Sequence, residues 1–420
     1  MATARGQIRH TVCVNCGAAV TIDLTTGERI DADRAMKRVG IAGRFDFDNL
    51  FAPEQTLDEA AYNWLEELGL KISCKNDHPI DPRQLSGKSF LLVAMIGPSG
   101  SGKTSYLRSL VRASGEGRLP PSYTVTNKTP KDNVQWADAL KLLDDAHKQD
   151  LAVDRTRAER DALKLPIVLD VKVPGETEEI TMVFVDVAGE TQNEIVVPEN
   201  AERNLHIAFA DAHLYMIPPV AGWTPEERRA AAISLSRNGT LQVAETALTA
   251  KAVNGVFNVV RDYYTNVRKR PRVGMPLVTP VVVLSKSDFA GHDHDRLYVG
   301  NAADSSATTL EELARHHDIV HRYIDTAMSA VAGHIDATVE DPWYVAVSQS
   351  GGPAYMTEDG AKPVLDELGE VVNAENRPLR HAHFSPRGLF NPLAAILTSR
   401  GYMPREFTGN RIYPRRGFLG

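Results

Sequence analysis

A glycine-rich segment that ends in a lysine and a threonine is the part of this chain best suited to chemistry. Residues 97–104 read Gly-Pro-Ser-Gly-Ser-Gly-Lys-Thr and satisfy the G-x-x-x-x-G-K-[ST] spacing of phosphate-binding loops. Glycines let main-chain N–H groups point inward without side-chain clashes. Lys103 can reach the β- and γ-phosphates, and the Thr104 hydroxyl can bind Mg²⁺. The segment therefore predicts a site for a nucleotide polyphosphate.

The elements on either side of this loop must hold it in place. The apolar run at 90–96 predicts a buried strand that leads into the loop. A helix that begins near Gly102 and ends at Gly115 follows, with apolar residues at helical spacing. Its free N–H groups and its dipole favour bound phosphate. A strand, a glycine-rich turn and a helix in this order distinguish a phosphate site from an ordinary turn.

An acidic motif, Asp-Val-Ala-Gly-Glu at 186–190, ends another apolar run. Asp186 is expected at the carboxyl end of its strand, where open α/β sheets bind ligands, and it can hold Mg²⁺ through water. The Gly189 amide can bond the γ-phosphate, so the loop that follows would respond to that phosphate. The strands predicted at 167–173 and 180–186 are joined by too few residues for a crossover helix. They must therefore pair antiparallel.

A third motif, Ser-Lys-Ser-Asp at 285–288, follows the apolar strand predicted at 281–284. It resembles the guanine-specificity motif Asn/Thr-Lys-x-Asp. Asp288 can accept two hydrogen bonds, from guanine N1–H and from the 2-amino group, and adenine offers neither donor. Lys286 would lie along the base with its aliphatic stem. The alternative is a capped strand end with surface charges.

The strand predicted at 343–347 ends in Ser348-Gln349-Ser350, which resembles the Ser-Ala-Lys/Leu loop whose backbone amide meets guanine O6. The four motifs each follow a predicted strand, in the order found in the Ras-like, translation-factor-related P-loop GTPases. This resemblance covers roughly residues 89–400. The long insertions and the N-terminal Cys-x-x-Cys segment are most similar to the bacterial double-GTPase group of conflict and signalling systems.

The resemblance implies a Ras-like α/β sheet, mostly parallel with one antiparallel strand, flanked by helices and carrying helical insertions. It implies catalytic roles for Lys103, Gly189 and Glu190, and Mg²⁺ held by Thr104 and Asp186. The nucleotide contacts that it implies are Gly97, Ser99, Gly100, Ser101, Gly102, Lys103, Thr104, Ser105, Lys286, Asp288, Ser348 and Gln349.

Two departures from the family pattern bear on affinity and rate. Ser285 stands where Asn is usual, which removes an amide that ties the base pocket to the phosphate loop and predicts weaker guanine binding. Glu190 stands where a water-orienting glutamine is common, so hydrolysis is expected to be slow or to need a partner. The threonine that senses the γ-phosphate is expected between the loop helix and strand 167–173, and Thr124, Thr126 and Thr129 all qualify.

The N-terminal segment carries all three cysteines. Cys13 and Cys16 form a zinc-knuckle pair, and Cys74 and His78 can supply two more ligands for a tetrahedral structural Zn²⁺ site. The alternative is three unrelated reduced cysteines with a surface histidine. So few cysteines in a long chain argue against a disulfide framework and for a reducing compartment.

Composition and length limit the classes of protein to which this chain can belong. The 420 residues have 43% hydrophobic and 24% charged residues and a net charge of −7, which gives no general attraction to nucleic acid or to anionic lipid. No apolar run is long enough for a bilayer and no leader is recognised, so we expect a soluble, cytoplasmic protein without a membrane span.

We expect three parts along the chain: a zinc-ribbon-like unit at 1–88 with a helical insertion at 57–70, a GTPase domain at 89–400, and an extended tail at 401–420. Residues 77–82 and 86–88 are expected to be a linker, since they are polar and interrupted by proline. Within the main domain we expect a helical insertion at 132–165. We further expect a strand at 213–217 and helices at 240–268, 310–331 and 392–399.

These observations favour a GTP-binding switch with slow intrinsic hydrolysis that binds GTP and GDP and acts with a protein partner. One alternative is an ATP-dependent P-loop enzyme, an ATPase or a small-molecule kinase. An ABC ATPase would carry Leu-Ser-Gly-Gly-Gln and a Glu after the strand-ending Asp, where this chain has Val187. A second alternative is a zinc-ribbon nucleic-acid adaptor. The acidic balance counts against it, and no nucleic-acid partner is expected.

Overall fold

The computed structural model describes residues 8–23, 28–30, 73–80 apart from 75, 90–129 apart from 99, 166–173, 179–186, 206–207, 210–224, 249–267, 278–300, 304–349, 354–355, 363–365, 371–373, 380–381 and 385–402. A small antiparallel sheet comes first in the chain. Its strands are β1 (Ile8–Val12), β2 (Ala19–Asp23) and β3 (Glu28–Ile30), paired in that order. Short strands of mixed polarity gave no clear signal in the sequence.

Among the described residues, seven strands form the main sheet. They are β4 (Phe90–Ile96), β5 (Thr124–Asn127), β6 (Ile167–Lys172), β7 (Glu179–Asp186), β8 (Ala212–Ile217), β9 (Thr279–Leu284) and β10 (Trp343–Ala346). Their order across the sheet is β10-β9-β8-β4-β7-β6-β5. All neighbours are parallel except that β6 runs antiparallel to both β5 and β7. The mixed sheet and the predicted antiparallel pair are confirmed.

Two further antiparallel pairs follow β10. They are β11 (Ala354–Tyr355) with β14 (Arg380–His381), and β12 (Pro363–Leu365) with β13 (Val371–Asn373). The sequence predicts no element between residue 350 and the last helix. Pairs of two or three residues carry too little periodicity to be recognised in a sequence.

Helices cover both faces of the main sheet. Within the described part of the chain they are α1 (Lys103–Gly115), α2 (Ala250–Val267), α3 (Leu310–Ala327), α4 (Ser329–Thr338) and α5 (Asn391–Ser399), with 3-10 helices at Pro219–Gly222 and Ser287–Leu297. Every second residue of β4 from Phe90 on belongs to one buried cluster, with Phe257 of α2 and Ile335 of α4. The residues between belong to a second cluster, with Leu107 of α1 and Leu393 of α5. A strand buried on both faces is an apolar run, as the sequence of β4 is.

The interval 310–331 forms two helices and not the single helix that the sequence predicts. Met328 separates them, with φ −134° and ψ 38°, and its side chain is buried. A Cβ built on Gly222 would lie 2.7 Å from the Met328 Cγ, so the chain turns where Met328 packs closely against the first 3-10 helix. The second helix also continues past the predicted end, to Thr338.

The linker expected at 77–82 is wrong for its first four residues. Ser73 pairs with Pro79 in an antiparallel bridge, the Cys74 N–H donates to the His78 carbonyl at 2.9 Å, and Ile80 is buried. Residues 77–80 therefore belong to a folded turn. The helices predicted at 57–70 and 132–165, the start of the helix predicted at 240–268, and the tail beyond residue 402 lie outside the described residues. No described helix has the length and apolar character needed to cross a membrane.

Candidate functional site

The phosphate-loop sequence follows β4 directly and turns into α1. Gly102, the residue before α1, has φ +91°, a left-handed conformation that favours glycine. A Cβ there would also lie 2.8 Å from the Gln349 Nε2, so a side chain at this position would displace the Gln349 amide from the loop. The turn brings the N–H groups at the start of α1 to the carboxyl end of β4, where they can bind an anion.

Lys103 is folded back over the loop. Its Nζ donates hydrogen bonds to the carbonyl oxygens of Gly97 at 2.7 Å and of Pro98 at 3.2 Å, and the residue is buried. The ammonium group is therefore held inside the turn, at the place where phosphates would lie. Thr104 and Ser105 follow at the first turn of α1 and remain partly exposed, while Ser101 is buried beneath the loop.

Asp186 is the last residue of β7, and the register of the sheet places its backbone beside Met95 of β4. Met95 precedes Gly97 by two residues, so Asp186 ends its strand next to the start of the loop. Gly189, Glu190 and Ser99 lie outside the described residues.

The Ser-Lys-Ser-Asp motif begins directly after β9 and contacts the phosphate loop. The Ser285 Oγ donates a hydrogen bond of 2.6 Å to the Ser101 carbonyl. The expectation that Ser285 loses the tie between the two motifs is wrong, because the hydroxyl makes the connection that the amide was expected to make. Lys286 has φ +51°, and its Cγ lies 3.7 Å from where a Cβ of Gly102 would be. Its aliphatic stem therefore runs beside the loop.

Asp288 is buried, with 8% of its surface exposed, and its Oδ1 accepts a hydrogen bond of 2.9 Å from the Ser348 Oγ. The neighbouring Ser287 N–H donates to the Val347 carbonyl at 3.1 Å. The Ser287 hydroxyl is also hydrogen-bonded to the Tyr298 hydroxyl. The carboxylate is thus oriented by the loop that follows β10.

Ser348 and Gln349 complete the arrangement. The Gln349 Nε2 donates to the Gly102 carbonyl at 3.4 Å. The main-chain carbonyl of Gln349 accepts from the Ser109 Oγ of α1 at 3.3 Å. The loops after β4, β9 and β10 therefore meet at one edge of the sheet, because these strands are parallel and their carboxyl ends coincide. Sequence reasoning missed Ser109 and Tyr298, since no motif marks either residue.

The register of β5 separates the three threonines proposed as γ-phosphate sensors. Thr124 and Thr126 lie in this edge strand, and Thr124 pairs with Lys172, which pairs with Glu179 at the far end of β7. Thr129 lies nearer the loop edge, but its Oγ1 accepts from the Val168 N–H at 3.0 Å. Its hydroxyl is thus engaged by the sheet in this conformation, and Thr124 lies farthest from the phosphate loop.

The three cysteines and His78 come together in the N-terminal part. Their ligand atoms lie within 4.8 Å of one another, and the cysteines are not joined by disulfides. The Cys16 Sγ lies 3.7 Å from the Cys74 Sγ, which lies 3.5 Å from the His78 Nδ1. In a tetrahedral Zn²⁺ site with bonds of about 2.3 Å to sulfur and 2.0–2.1 Å to nitrogen, such atoms are roughly 3.5–3.8 Å apart. The donor set and its spacing fit a metal ion.

The environment of these thiols differs from one cysteine to the next. Burial raises the pKa of Cys13 to about 12. Burial acts in the same direction on Cys74, but hydrogen bonds from the amides of Asn76 and His78 and from the thiols of Cys16 and Cys13 bring its pKa to about 7. A buried cluster of this kind holds thiolates when a cation compensates their charge.

Comparison with known proteins gives one family. A family model described as Double-GTPase 2 matches residues 91–328, more than half of the 420 residues. No curated protein matches the chain. The match supports a GTPase-type function and confirms the resemblance to the double-GTPase group.

Proposed function

The chain belongs to the Double-GTPase 2 family of P-loop GTPases, and we propose that it is a GTP-binding switch with slow intrinsic hydrolysis. It would alternate between GTP-bound and GDP-bound forms and act with a protein partner in a bacterial signalling or conflict system, in the cytoplasm. The GTPase core would span residues 89–400, with a zinc-ribbon-like unit at 1–88 and a tail at 401–420.

One observation carries this proposal: the Ser285 hydroxyl is hydrogen-bonded to the Ser101 carbonyl at 2.6 Å. The bond fixes the separation between a loop suited to phosphates and a loop suited to a base. A nucleotide has a fixed span from base to phosphate, so a site that selects it benefits from a fixed distance between the two subsites. A phosphate site alone would not need this connection.

The base would be guanine because Asp288 is buried and its carboxylate offers only hydrogen-bond acceptors. Guanine presents two donors, N1–H and the 2-amino group, to such a carboxylate. Adenine presents neither, and the desolvated carboxylate would then keep only its bond from the Ser348 hydroxyl, which is costly. Lys286 would cover the base with its stem, and the main-chain amide of Gln349 would meet O6, since that of Ser348 is bonded to the Arg387 carbonyl.

The phosphates would lie over the amides of residues 97–105, and Lys103 would exchange its two carbonyl partners for phosphate oxygens. Thr104 and Asp186 are oxygen ligands of the kind that Mg²⁺ prefers. Thr104 lies in the first turn of α1, and Asp186 ends β7 beside the strand that leads into the loop. The ion would neutralise charge on the β- and γ-phosphates.

Hydrolysis would depend on the loop that follows Asp186. The Gly189 amide would bond the γ-phosphate, and Glu190 would orient the attacking water. A carboxylate is a poorer water-positioning group than an amide near a phosphate, because its negative charge repels that of the phosphate. Slow turnover that a partner accelerates is therefore expected.

The four N-terminal donors would hold a structural Zn²⁺. Three cysteines and one histidine form a closed, four-coordinate set with no position left for substrate. The ion would take the place of a large hydrophobic core in this small unit.

The test is equilibrium displacement of a fluorescent GDP analogue from the purified protein. We expect GTP to displace it at concentrations at least about 100-fold lower than ATP, since one base pairs with Asp288 and the other does not. Lys103→Ala should weaken GTP binding by about 100-fold or more, because two charge-assisted hydrogen bonds to phosphate are lost.

Arg112→Ala is the matched control, since it removes a cation from the same helix. Arg112 pairs with Glu116 at 2.6 Å on the outer side of α1, and its removal should leave nucleotide affinity unchanged. Equal displacement by ATP and GTP would contradict the proposal. So would a folded Lys103→Ala protein with unchanged affinity.

A further inference from the structure

The segment Ser385–Phe390 runs along the back of the proposed base loop, beyond the end of the family match at residue 328. We infer that this segment and the buried carboxylate of Asp304, which holds it, form a positioning site that sets guanine selectivity. Asp304 would act through Ser348 and Asp288 without touching the nucleotide. The inference rests on the proposed function, because it concerns the accuracy of the same base pocket.

The segment is joined to the base loop by a two-bond bridge. The Ser348 N–H donates to the Arg387 carbonyl at 3.0 Å, and the Arg387 N–H donates to the Ser348 carbonyl at 2.9 Å. Ser348 is the residue whose hydroxyl bonds Asp288 at 2.9 Å. Any shift of the segment therefore moves the group that orients the base-reading carboxylate.

Asp304 fixes the segment from the other side. Its Oδ2 accepts from the Leu389 N–H at 3.0 Å and from the Ser306 Oγ at 2.6 Å, and its Oδ1 accepts from the Ser306 N–H at 3.0 Å. The same hydroxyl of Ser306 accepts from the Phe390 N–H at 3.0 Å. Asp304 is 2% exposed, so these donors take the place of water around a buried carboxylate. Two successive amides of the segment are held in this way.

The turn at Gly388 lets the segment approach β10 and Tyr298 closely. Gly388 has φ +66°, and a Cβ there would lie 2.5 Å from the Ala346 carbonyl oxygen and 2.7 Å from the Tyr298 ring. Ala346 ends β10 two residues before Ser348, and Tyr298 is hydrogen-bonded to Ser287 of the base motif. Position 388 therefore lies against the end of β10, which leads into Ser348, and against the tyrosine that is bonded to Ser287.

A second set of contacts ties the same region to α1 and the core. The Tyr106 hydroxyl of α1 donates to the Leu389 carbonyl at 3.1 Å. Asn391 accepts from the Ala307 N–H at 2.8 Å and lies 3.0 Å from the His316 Nε2, which accepts from the Ala346 N–H at 2.9 Å. The base loop is thus held on both sides of Ser348 by hydrogen bonds among buried groups, which favours one geometry.

The experiment compares Asp304→Asn with wild type in the full chain, with the dissociation constants of GTP and ATP as readout. An amide presents N–H donors where the carboxylate presents only acceptors, so it cannot accept all three bonds. We expect about a tenfold loss of GTP affinity, the effect of one mispositioned buried hydrogen bond, and no change for ATP, which gains nothing from Asp288. The ratio of the two constants is a readout that a general loss of stability would not move.

Asp211→Asn is the matched control. Asp211 is another carboxylate that accepts a main-chain N–H, from Leu92 at 2.8 Å, but it lies at the opposite end of β4. It should lower the melting temperature without changing the ratio of GTP to ATP affinity. Should Asp304→Asn fail to fold, Ser306→Ala carries the same test, since it removes the hydroxyl that links Asp304 to Phe390.

The outcomes separate the two proposals. A wild-type protein that prefers GTP, with an Asp304→Asn or Ser306→Ala variant that keeps the full preference, overturns the positioning role alone. Equal loss of GTP and ATP affinity also overturns it. A wild-type protein without preference for GTP overturns the proposed function and, with it, this inference.

Discussion

The Cys/His cluster and the nucleotide edge of the main sheet are built in different ways from similar beginnings. Each brings together short motifs that are far apart in the chain: Cys13 and Cys74 in one, Lys103 and Asp288 in the other. Around the cluster, the buried apolar side chains of the described N-terminal residues are few, namely Cys13, Ala18, Val20, Cys74 and Ile80, while Val12 belongs to a buried cluster of the main sheet. The nucleotide edge stands on a sheet with a large buried cluster on each face.

The two sites are therefore held in shape by different means. A unit with so little apolar burial depends on its metal, and structural Zn²⁺ in such units is worth an apparent 10–16 kcal/mol, in round numbers, at neutral pH. The main sheet instead gains roughly 1.5–3 kcal/mol for each large side chain that it buries. The main sheet should therefore stay folded when a single nucleotide contact is removed. The N-terminal unit should not stay folded when a metal ligand is removed.

Of the changes that distinguish the Cys/His cluster from the nucleotide edge, removal of the metal should have the largest effect. The purified protein should contain about one zinc per chain, and the Cys13→Ser/Cys16→Ser double variant should contain none, because a four-coordinate site needs its thiolates. The N-terminal unit should then unfold while GTP affinity is retained. Elemental analysis measures the zinc content, and hydrogen exchange of β1 and β2 measures unfolding of the N-terminal unit. A GTP titration measures the affinity.

The matched control replaces histidines. His78→Gln removes a proposed ligand and should weaken zinc retention, whereas His321→Gln, at the surface of α3 beside Asp325, should not. Metal-free protein purified without chelators, or unchanged zinc in the double variant, would show that the cysteines are unrelated. Loss of GTP binding together with zinc would show that the two regions are not independent.

A smaller effect is expected at Ser285. Ser285→Ala removes the hydroxyl that donates to Ser101 and leaves a buried carbonyl without that partner, which costs about 1–3 kcal/mol. GTP affinity should fall by about tenfold with the fold intact, since the sheet below is unchanged. Displacement titration and the melting temperature measure the two parts.

Ser399→Ala is the control for this change. Its hydroxyl accepts from the Trp343 Nε1 at 2.9 Å, away from the base loop, so nucleotide affinity should stay as in wild type. If Ser285→Ala binds GTP like wild type, the bond to Ser101 does not fix the spacing of the two subsites.

The sequence predicted those parts of the fold that consist of long apolar runs next to a motif. The strand at 90–96 is the clearest example, since seven consecutive buried residues lead into a glycine-rich loop. Antiparallel pairing of β6 and β7 followed from the length of their connection. The order of the motifs along the chain was enough to recognise the family that the comparison confirms.

Other features depend on tertiary contacts that no local pattern records. The four residues of β5 are partly polar and only one of them is buried, so hydrophobic periodicity is absent. The break at Met328 follows from packing against Gly222. The role of Ser285 cannot be read from the sequence. The sequence shows a serine in place of the usual asparagine, but it does not show that the Ser285 hydroxyl reaches the Ser101 carbonyl. The contacts of Asp304 with Leu389 join residues 85 positions apart.

The central claim is that this is a guanine-nucleotide protein, and Asp288→Asn tests it most directly. A desolvated mismatch between a buried polar group and a base discriminates by up to about 10⁴–10⁵, and we expect at least about a 100-fold loss of GTP affinity here. Xanthosine triphosphate should bind the variant better than GTP does, because its C2 carbonyl accepts a hydrogen bond from the new amide. ATP affinity should not change. A wild-type protein that binds ATP as tightly as GTP, with neither affinity altered by Asp288→Asn, would contradict the account.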